Sequence, residues 1–266
     1  MDLPRRKIRP YEVPAHPGDE ATTAALATYA ADKADALNQH VIGYGDLAER
    51  EWAALGLVAP DMDAARRYRL ARIRERLQGA DLAGILLYDP LNVRYATDST
   101  NMQLWCTHNA VRYALVMADG PLILWDFHNC EHLSGHLDEI DEIRHGETWI
   151  YHLAGERAQE HASAWAVELE EVVSRHGGGN RRLASDRLDG EGRDALAHLG
   201  IDVVPGEPLM ERARAVKSID EIAAMRRAIA ACEAAMGVME AALRPGMTEN
   251  DLWSILHAEN IRRGGE

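Results

Sequence analysis

The chain has 266 residues, 47% of them hydrophobic and 27% charged, with 29 basic against 43 acidic side chains and a net charge of −14. This is the composition of a globular protein of one large or two ordinary domains. The acidic surplus argues against nucleic-acid binding, and no apolar run approaches the roughly 20 residues that a membrane span needs.

Pro4, Pro10, Pro14 and Pro17 interrupt the start of the chain where a signal peptide would carry its apolar segment. Residues 1–19 therefore read as loosely ordered. Residues 20–38 are Ala-rich and predict a weakly amphipathic helix. A short helix is expected from Asp46 to Leu57, and a longer one over 62–78 with Met62, Tyr68, Leu70, Ile73 and Leu77 turned inward. Ala83 to Tyr88 is a short apolar run bounded by Gly79 and Pro90, hence a buried strand. Tyr113–Met117 and Leu122–Trp125 flank Asp119-Gly120-Pro121 and predict a hairpin. Further elements follow: a strand at 142–144, a helix over 156–175 ended by Gly177-Gly178-Gly179-Asn180, a strand at 183–185, a helix at 190–199 and a strand at 202–204. Alternating strands and helices give an α/β domain with a mixed sheet and flanking helices.

After Lys217 the pattern changes. Ile219, Ile222, Met225, Ile229, Cys232, Met236, Met239 and Leu243 recur at steps of three and four, the apolar face of a long helix. Ser218 stands at its N-cap with Glu221 completing a capping box, Pro245-Gly246 stops it, and Thr248 caps a second helix.

Three stretches carry candidate chemistry. Asp89 to Trp105 packs polar side chains densely beside two aromatics just after a strand, and reads either as a ligand surface or as a connector whose polar groups satisfy the backbone. His128, His132 and His136 stand at steps of four, which would put them on one helix face as possible zinc ligands, although Gly135 weakens the helix and favours a solvated face. Asp138, Glu139, Asp141 and Glu142 predict a solvated acidic face. His257 and Glu259, two apart on a helix, diverge rather than co-ligate. The triple glycine follows a helix and lacks a Lys-Ser/Thr ending, so it is no phosphate loop. The odd cysteines Cys106, Cys130 and Cys232 form no CxxC and fit a reducing, cytoplasmic compartment.

The phrase Arg214-Ala-Val-Lys217-Ser-Ile-Asp-Glu221-Ile, followed after a helix by Arg244-Pro-Gly-Met-Thr-Glu249, resembles the opening of the pita-bread domain in the creatinase, prolidase and aminopeptidase P family. Together with the 92–105 phrase, the triple-glycine break and His257 to Glu266, it is similar to the DddP-type dimethylsulfoniopropionate lyases of that family. The resemblance implies a helical extension over 1–61, a creatinase-type N-terminal domain over 62–213, and the first helices of an incomplete pita-bread domain over 214–266. It implies a homodimer acting on a small molecule, either dimethylsulfoniopropionate or, alternatively, an Xaa-Pro peptide. It also implies that Asp98, Asn101, Gln103 and Trp105 shape the substrate site of the partner subunit. Trp105 would stack a sulfonium cation there, or else serve as a core tryptophan. The family's pair of divalent metals is held by two Asp, one His and two Glu of the pita-bread sheet. None of those motifs occurs before Glu266, so the resemblance assigns this chain neither a catalytic residue nor a metal ligand, and predicts no activity for it alone. A non-catalytic binding or dimerisation module is the remaining alternative.

Overall fold

The computed structural model describes residues 7–8 and 46–265. The helix expected over 20–38, and the proline-rich start apart from Lys7–Ile8, lie outside them. The described chain divides into two compact units, one of residues 7–8 and 66–216, the other of residues 46–65 and 217–265.

The first unit is built on seven strands: β1 (Lys7–Ile8), β2 (Gly84–Leu87), β3 (Tyr113–Met117), β4 (Leu122–Asp126), β5 (Glu142–His145), β6 (Arg182–Ser185) and β7 (Asp202–Pro205). They lie in the order β1-β5-β4-β3-β2-β6-β7. β3 runs antiparallel to both its neighbours, and all other pairings are parallel. β1 corrects the expectation of a loose start at Lys7–Ile8, which pair with Glu142 and Ile143. In β2, β3 and β4 every residue is buried, because the sheet is covered on both faces and continuous apolar runs suit such strands. Gly84 sits where a Cβ would come within 2.7 Å of the Val116 carbonyl oxygen, so the β2–β3 crossing needs its missing side chain.

Period-two alternation sorts the side chains. Ile85, Leu87, Ala114, Val116, Leu122 and Leu124 face one layer of helices: α2 (Met62–Gly79), α3 (Pro90–Thr97) and α8 (Glu207–Ala215), through Leu70, Ile73, Leu77, Val93, Leu209 and Met210. Leu86, Tyr88, Tyr113, Leu115, Met117, Ile123 and Trp125 face the other layer, where α6 (Ala158–His176) and α7 (Gly190–His198) contribute Trp165, Leu169, Val172, Val173 and Leu196. Each such buried side chain stabilises the fold by about 1.5–3 kcal/mol. Tyr113 stacks on Trp125 with ring centroids 5.0 Å apart, and Arg144 caps the Trp125 face at 5.3 Å between Glu142 and Glu168. The two carboxylates hold the Arg144 guanidinium above its ordinary pKa, against the opposing effect of its burial.

In the second unit, α1 (Asp46–Ala54) meets α9 (Ile219–Ala242) and α10 (Glu249–Arg262). Both capping boxes form: Ser218 with Glu221, and Thr248 with Asp251. The Trp52 indole N–H donates to the Arg227 carbonyl at 2.9 Å, and the Arg227 guanidinium lies 4.7 Å over that ring. Arg263 donates two hydrogen bonds to Glu51, at 2.7 and 2.8 Å, and a third to Glu259 at 2.6 Å. Those partners raise the Arg263 pKa, Glu51 contributing most. His257 packs edge-on against Trp253, so it and Glu259 do diverge. Ile222, Met225, Ile229, Met236 and Leu243 of the long apolar stripe are exposed.

Candidate functional site

The stretch after β2 is more ordered than its sequence suggests. Asp89 accepts hydrogen bonds from the Leu91 and Asn92 amides, and Pro90 occupies the first helical position, so 90–97 is the helix α3 rather than a connector. Asp98 ends α3 in the left-handed conformation at φ 57°. Its carboxylate faces α2, 2.9 Å from Arg66 Nε and 3.6 Å from Arg69. That ion pair makes Asp98 the anchor that turns the chain.

Beyond it lies a buried polar hub. Arg112, just before β3, donates to the Asp126 carboxylate at 3.0 Å and also to the Ser99 hydroxyl, which meets the Ser134 hydroxyl. The second Asp126 oxygen accepts from Asn101 Nδ2 and from the Phe127 amide, both at 2.8 Å. Arg112 is 3% exposed and Asp126 is fully enclosed. Taking both charges from water is costly, and the arrangement persists because nearly every donor and acceptor is matched. Burial pushes the neighbouring Cys106 thiol up to about 11, with Arg112 opposing and Asp126 adding, so this cysteine is no nucleophile. Sequence reasoning missed Arg112 and Asp126. The available signal was a charge at each end of otherwise apolar strands.

Met102 then takes φ 47° and starts α4 (Gln103–His108). Gln103 Oε1 is enclosed without a hydrogen-bond partner among the described residues. Trp105 is 41% exposed and Leu104 is 88% exposed, so neither belongs to the core of the described residues. The Trp105 ring meets His152 edge-to-face, centroids 5.9 Å apart, on α5 (Tyr151–Ala154). Among the four loop residues singled out by sequence, Asp98 and Asn101 thus face inward as anchors. Gln103 and Trp105 sit on the first turn of the short helix that those anchors place at the surface. A rigid aromatic face held this way can receive a cation or an apolar group.

A second, half-buried carboxylate lies at the base of the same segment. Asp186, after β6, accepts from the Tyr88 amide at 2.8 Å, the Asp89 amide at 3.3 Å and Asn92 Nδ2 at 2.9 Å. The Asn92 side-chain oxygen Oδ1 accepts in turn from Arg214 at 2.9 Å. Burial raises Asp186 to about 6 in spite of those hydrogen bonds.

The other candidates change on inspection. Only Glu131–Leu133 makes a helical turn, a 3₁₀ one, and Asn129 adopts φ 63°, so His128, His132 and His136 share no helix face. Of the acidic run, Asp138 and Asp141 are exposed as expected, Asp141 also accepting from the Leu122 amide at 2.8 Å, whereas Glu142 is half-buried and pairs with Arg144. Asn180 after the triple glycine holds the turn, accepting from the Arg182 amide and donating to Asp81. Among the described residues no group of three or more His, Cys, Asp or Glu is arranged to hold a metal ion. The donor set for a divalent metal pair is therefore not found there. No helix among the described residues is long and apolar enough to cross a membrane.

Comparison with known proteins bears on this geometry. The family model for the creatinase/prolidase N-terminal domain matches residues 69–216. Over 234 residues the chain is 43% identical to the dimethylsulfoniopropionate lyase DddP of Roseovarius nubinhibens, covering 86% of this chain and 52% of that protein. The corresponding lyase of Roseobacter denitrificans is 44% identical over 235 residues, covering 86% and 53%. The chain thus spans about half the length of these relatives. Among solved structures it is similar to an Xaa-Pro dipeptidase from Bacillus anthracis (TM-score 0.51, 21% identity, 72% of this chain and 47% of that one). It is likewise similar to a dipeptidase from Pyrococcus horikoshii (TM-score 0.52, 17% identity, 72% and 49%). At those identities the two structures speak for the fold alone.

Proposed function

This chain belongs to the creatinase/prolidase family, and from that premise we propose that it forms the N-terminal portion of a metal-dependent lyase acting on dimethylsulfoniopropionate, yielding acrylate and dimethyl sulfide. The identity of 43–44% to two such lyases supports the substrate class. The likeness to dipeptidases, which reaches only the fold, does not favour the peptidase alternative. The role of this chain is substrate shaping. The metal pair expected of the complete enzyme finds no donor set among the described residues, so no chemical step is assigned to them.

The observation that carries the reading is the division of labour in the loop. Asp98 and Asn101 are spent on Arg66, Arg69 and Asp126, whereas Trp105 offers its ring to the outside. A sulfonium cation over an indole face gains roughly 0.5–2 kcal/mol. In the proposed homodimer, which operates in the cytoplasm, this face closes the partner's site.

Trp105→Ala in a chain completed to the relatives' length and loaded with metal tests this. The Michaelis constant for dimethylsulfoniopropionate, followed by headspace dimethyl sulfide, should rise several-fold with metal content and melting temperature unchanged. An unaltered Michaelis constant, or a stability loss of the roughly 3–5 kcal/mol typical of a core tryptophan, would count against it. Placing Trp105→Ala and a lost metal ligand on the same subunit of a heterodimer separates the arrangements. A loop acting on the partner gives the one live site the raised Michaelis constant of the variant, whereas a loop acting on its own subunit leaves that site the wild-type constant and half the wild-type rate per dimer. The 266-residue chain alone should release no dimethyl sulfide.

A further inference from the structure

At the β7 edge of the first unit, away from the loop 98–105 in the strand order, lies a cleft of about 210 Å³ whose lining includes Leu82, Val204, Leu209, Arg76 of α2, Arg182 of β6 and Arg212 of α8. Three arginines among the residues lining an apolar cleft stand out in a protein of net charge −14. Their engagements differ. Arg182 is held in place, donating to the Asp81 carbonyl at 2.8 Å and the Ala80 carbonyl at 3.3 Å, with the Asp81 and Asp202 carboxylates 3.5 and 4.0 Å away. Arg76 and Arg212 have no such partner: among the described residues neither side chain is paired with a carboxylate, and the enclosed Nε of Arg76 has no hydrogen-bond acceptor at all. The Arg212 backbone carbonyl receives Arg72 at 3.5 Å, a contact that ties α8 to α2 and sets the width of the cleft.

An arginine that no carboxylate of the described residues engages can take one from outside. A planar guanidinium matches a carboxylate in two parallel hydrogen bonds. The apolar floor would cover a hydrocarbon tail and would give a bare inorganic anion nothing. A cleft of about 210 Å³ suits a small molecule rather than a peptide. We infer that this cleft is a binding site for a small aliphatic carboxylate, with Arg76 and Arg212 receiving the carboxylate and Leu82, Val204 and Leu209 covering its chain.

Butyrate is the probe, titrated calorimetrically into the full 266-residue chain. One saturable site is expected, with a dissociation constant on the order of 1 mM. Butanol, butylammonium and inorganic phosphate should each bind at least tenfold more weakly. Arg212→Gln, at an exposed position, and Arg76→Gln should each weaken butyrate at least tenfold while the melting transition stays cooperative. If Arg76→Gln fails to fold, Arg212→Gln still decides. Carbon-13 methyl spectra should show butyrate shifting Leu82 and Leu209. The inference is overturned if butyrate does not saturate, if Arg212→Gln binds it as wild type does, if phosphate matches it, or if the shifted methyl groups lie elsewhere.

Discussion

Replacing Arg112 with leucine removes the guanidinium from a site where it is 3% exposed and its partner Asp126 is fully enclosed. Asp126 keeps the Asn101 amide and the Phe127 N–H but loses the Arg112 donor at 3.0 Å, and Ser99 loses a donor to its hydroxyl. Breaking a buried pair by deleting one member costs about 3–5 kcal/mol, because the remaining charge has neither water nor a counter-ion. For a unit of roughly 150 residues each kcal/mol moves the melting temperature by about 2–4 °C, so Arg112→Leu should melt about 6–20 °C lower. The double variant Arg112→Leu/Asp126→Leu removes the stranded charge and should recover much of that loss. Thermal melts of the three proteins, followed by tryptophan fluorescence, provide the comparison. If Arg112→Leu melts with wild type, or the double variant melts no higher than Arg112→Leu, the hub is not the anchor described above.

Asp186 gives a prediction in pH. Its folded pKa, raised to about 6 from an ordinary value near 3.9, means that the folded state binds the proton more tightly than the unfolded one. Its contribution is fully present below about pH 4 and is lost as pH rises through about 6, on the order of 3 kcal/mol in all. Asp186→Asn does not titrate, so from pH 4 to 7 its stability should gain on wild type by that amount in denaturant melts; parallel pH profiles would refute the assignment. Ser218→Ala should cost about 1 kcal/mol in the same assay, since Ser218 Oγ accepts from the Glu221 amide at 3.1 Å, while Ser218→Asp should cost little. Metal analysis after dialysis against chelator should find no stoichiometric zinc on the 266-residue chain; one tightly held zinc lost on His132→Ala would contradict the irregular geometry of 128–136.

The sheet was legible because its central strands are buried on both faces and therefore apolar without interruption, as in Tyr113–Met117 and Leu122–Asp126. The caps at Ser218 and Thr248 were legible because their chemistry is confined to four consecutive residues. Helix α3 was missed because Pro90 reads as a breaker, although Asp89 before it is an N-cap and proline suits the first helical turn. Helix α8 after Pro205 was missed for the same reason, with Pro208 in its first turn. The loop 98–105 was marked as a unit, but the partners of its members lie far along the chain: Arg66 and Arg69 some 30 residues before Asp98, and Asp126 some 25 after Asn101. Spacing within a segment carries no information on such pairings. The period of four among the histidines did not make a helix, because Asn129 with its positive φ interrupts the segment.

The strand order has a consequence for synthesis. β2 finds β3 on one side soon after leaving the ribosome, but its other edge pairs Gly84 with Leu183 and Leu86 with Ser185, about 100 residues later. At roughly 5–20 residues per second, the backbone of Gly-Ile-Leu-Leu stays open on that edge for about 5–20 s. An unpaired apolar edge is a template for intermolecular pairing between nascent chains. Slower translation between codons 88 and 182 should lengthen that exposure.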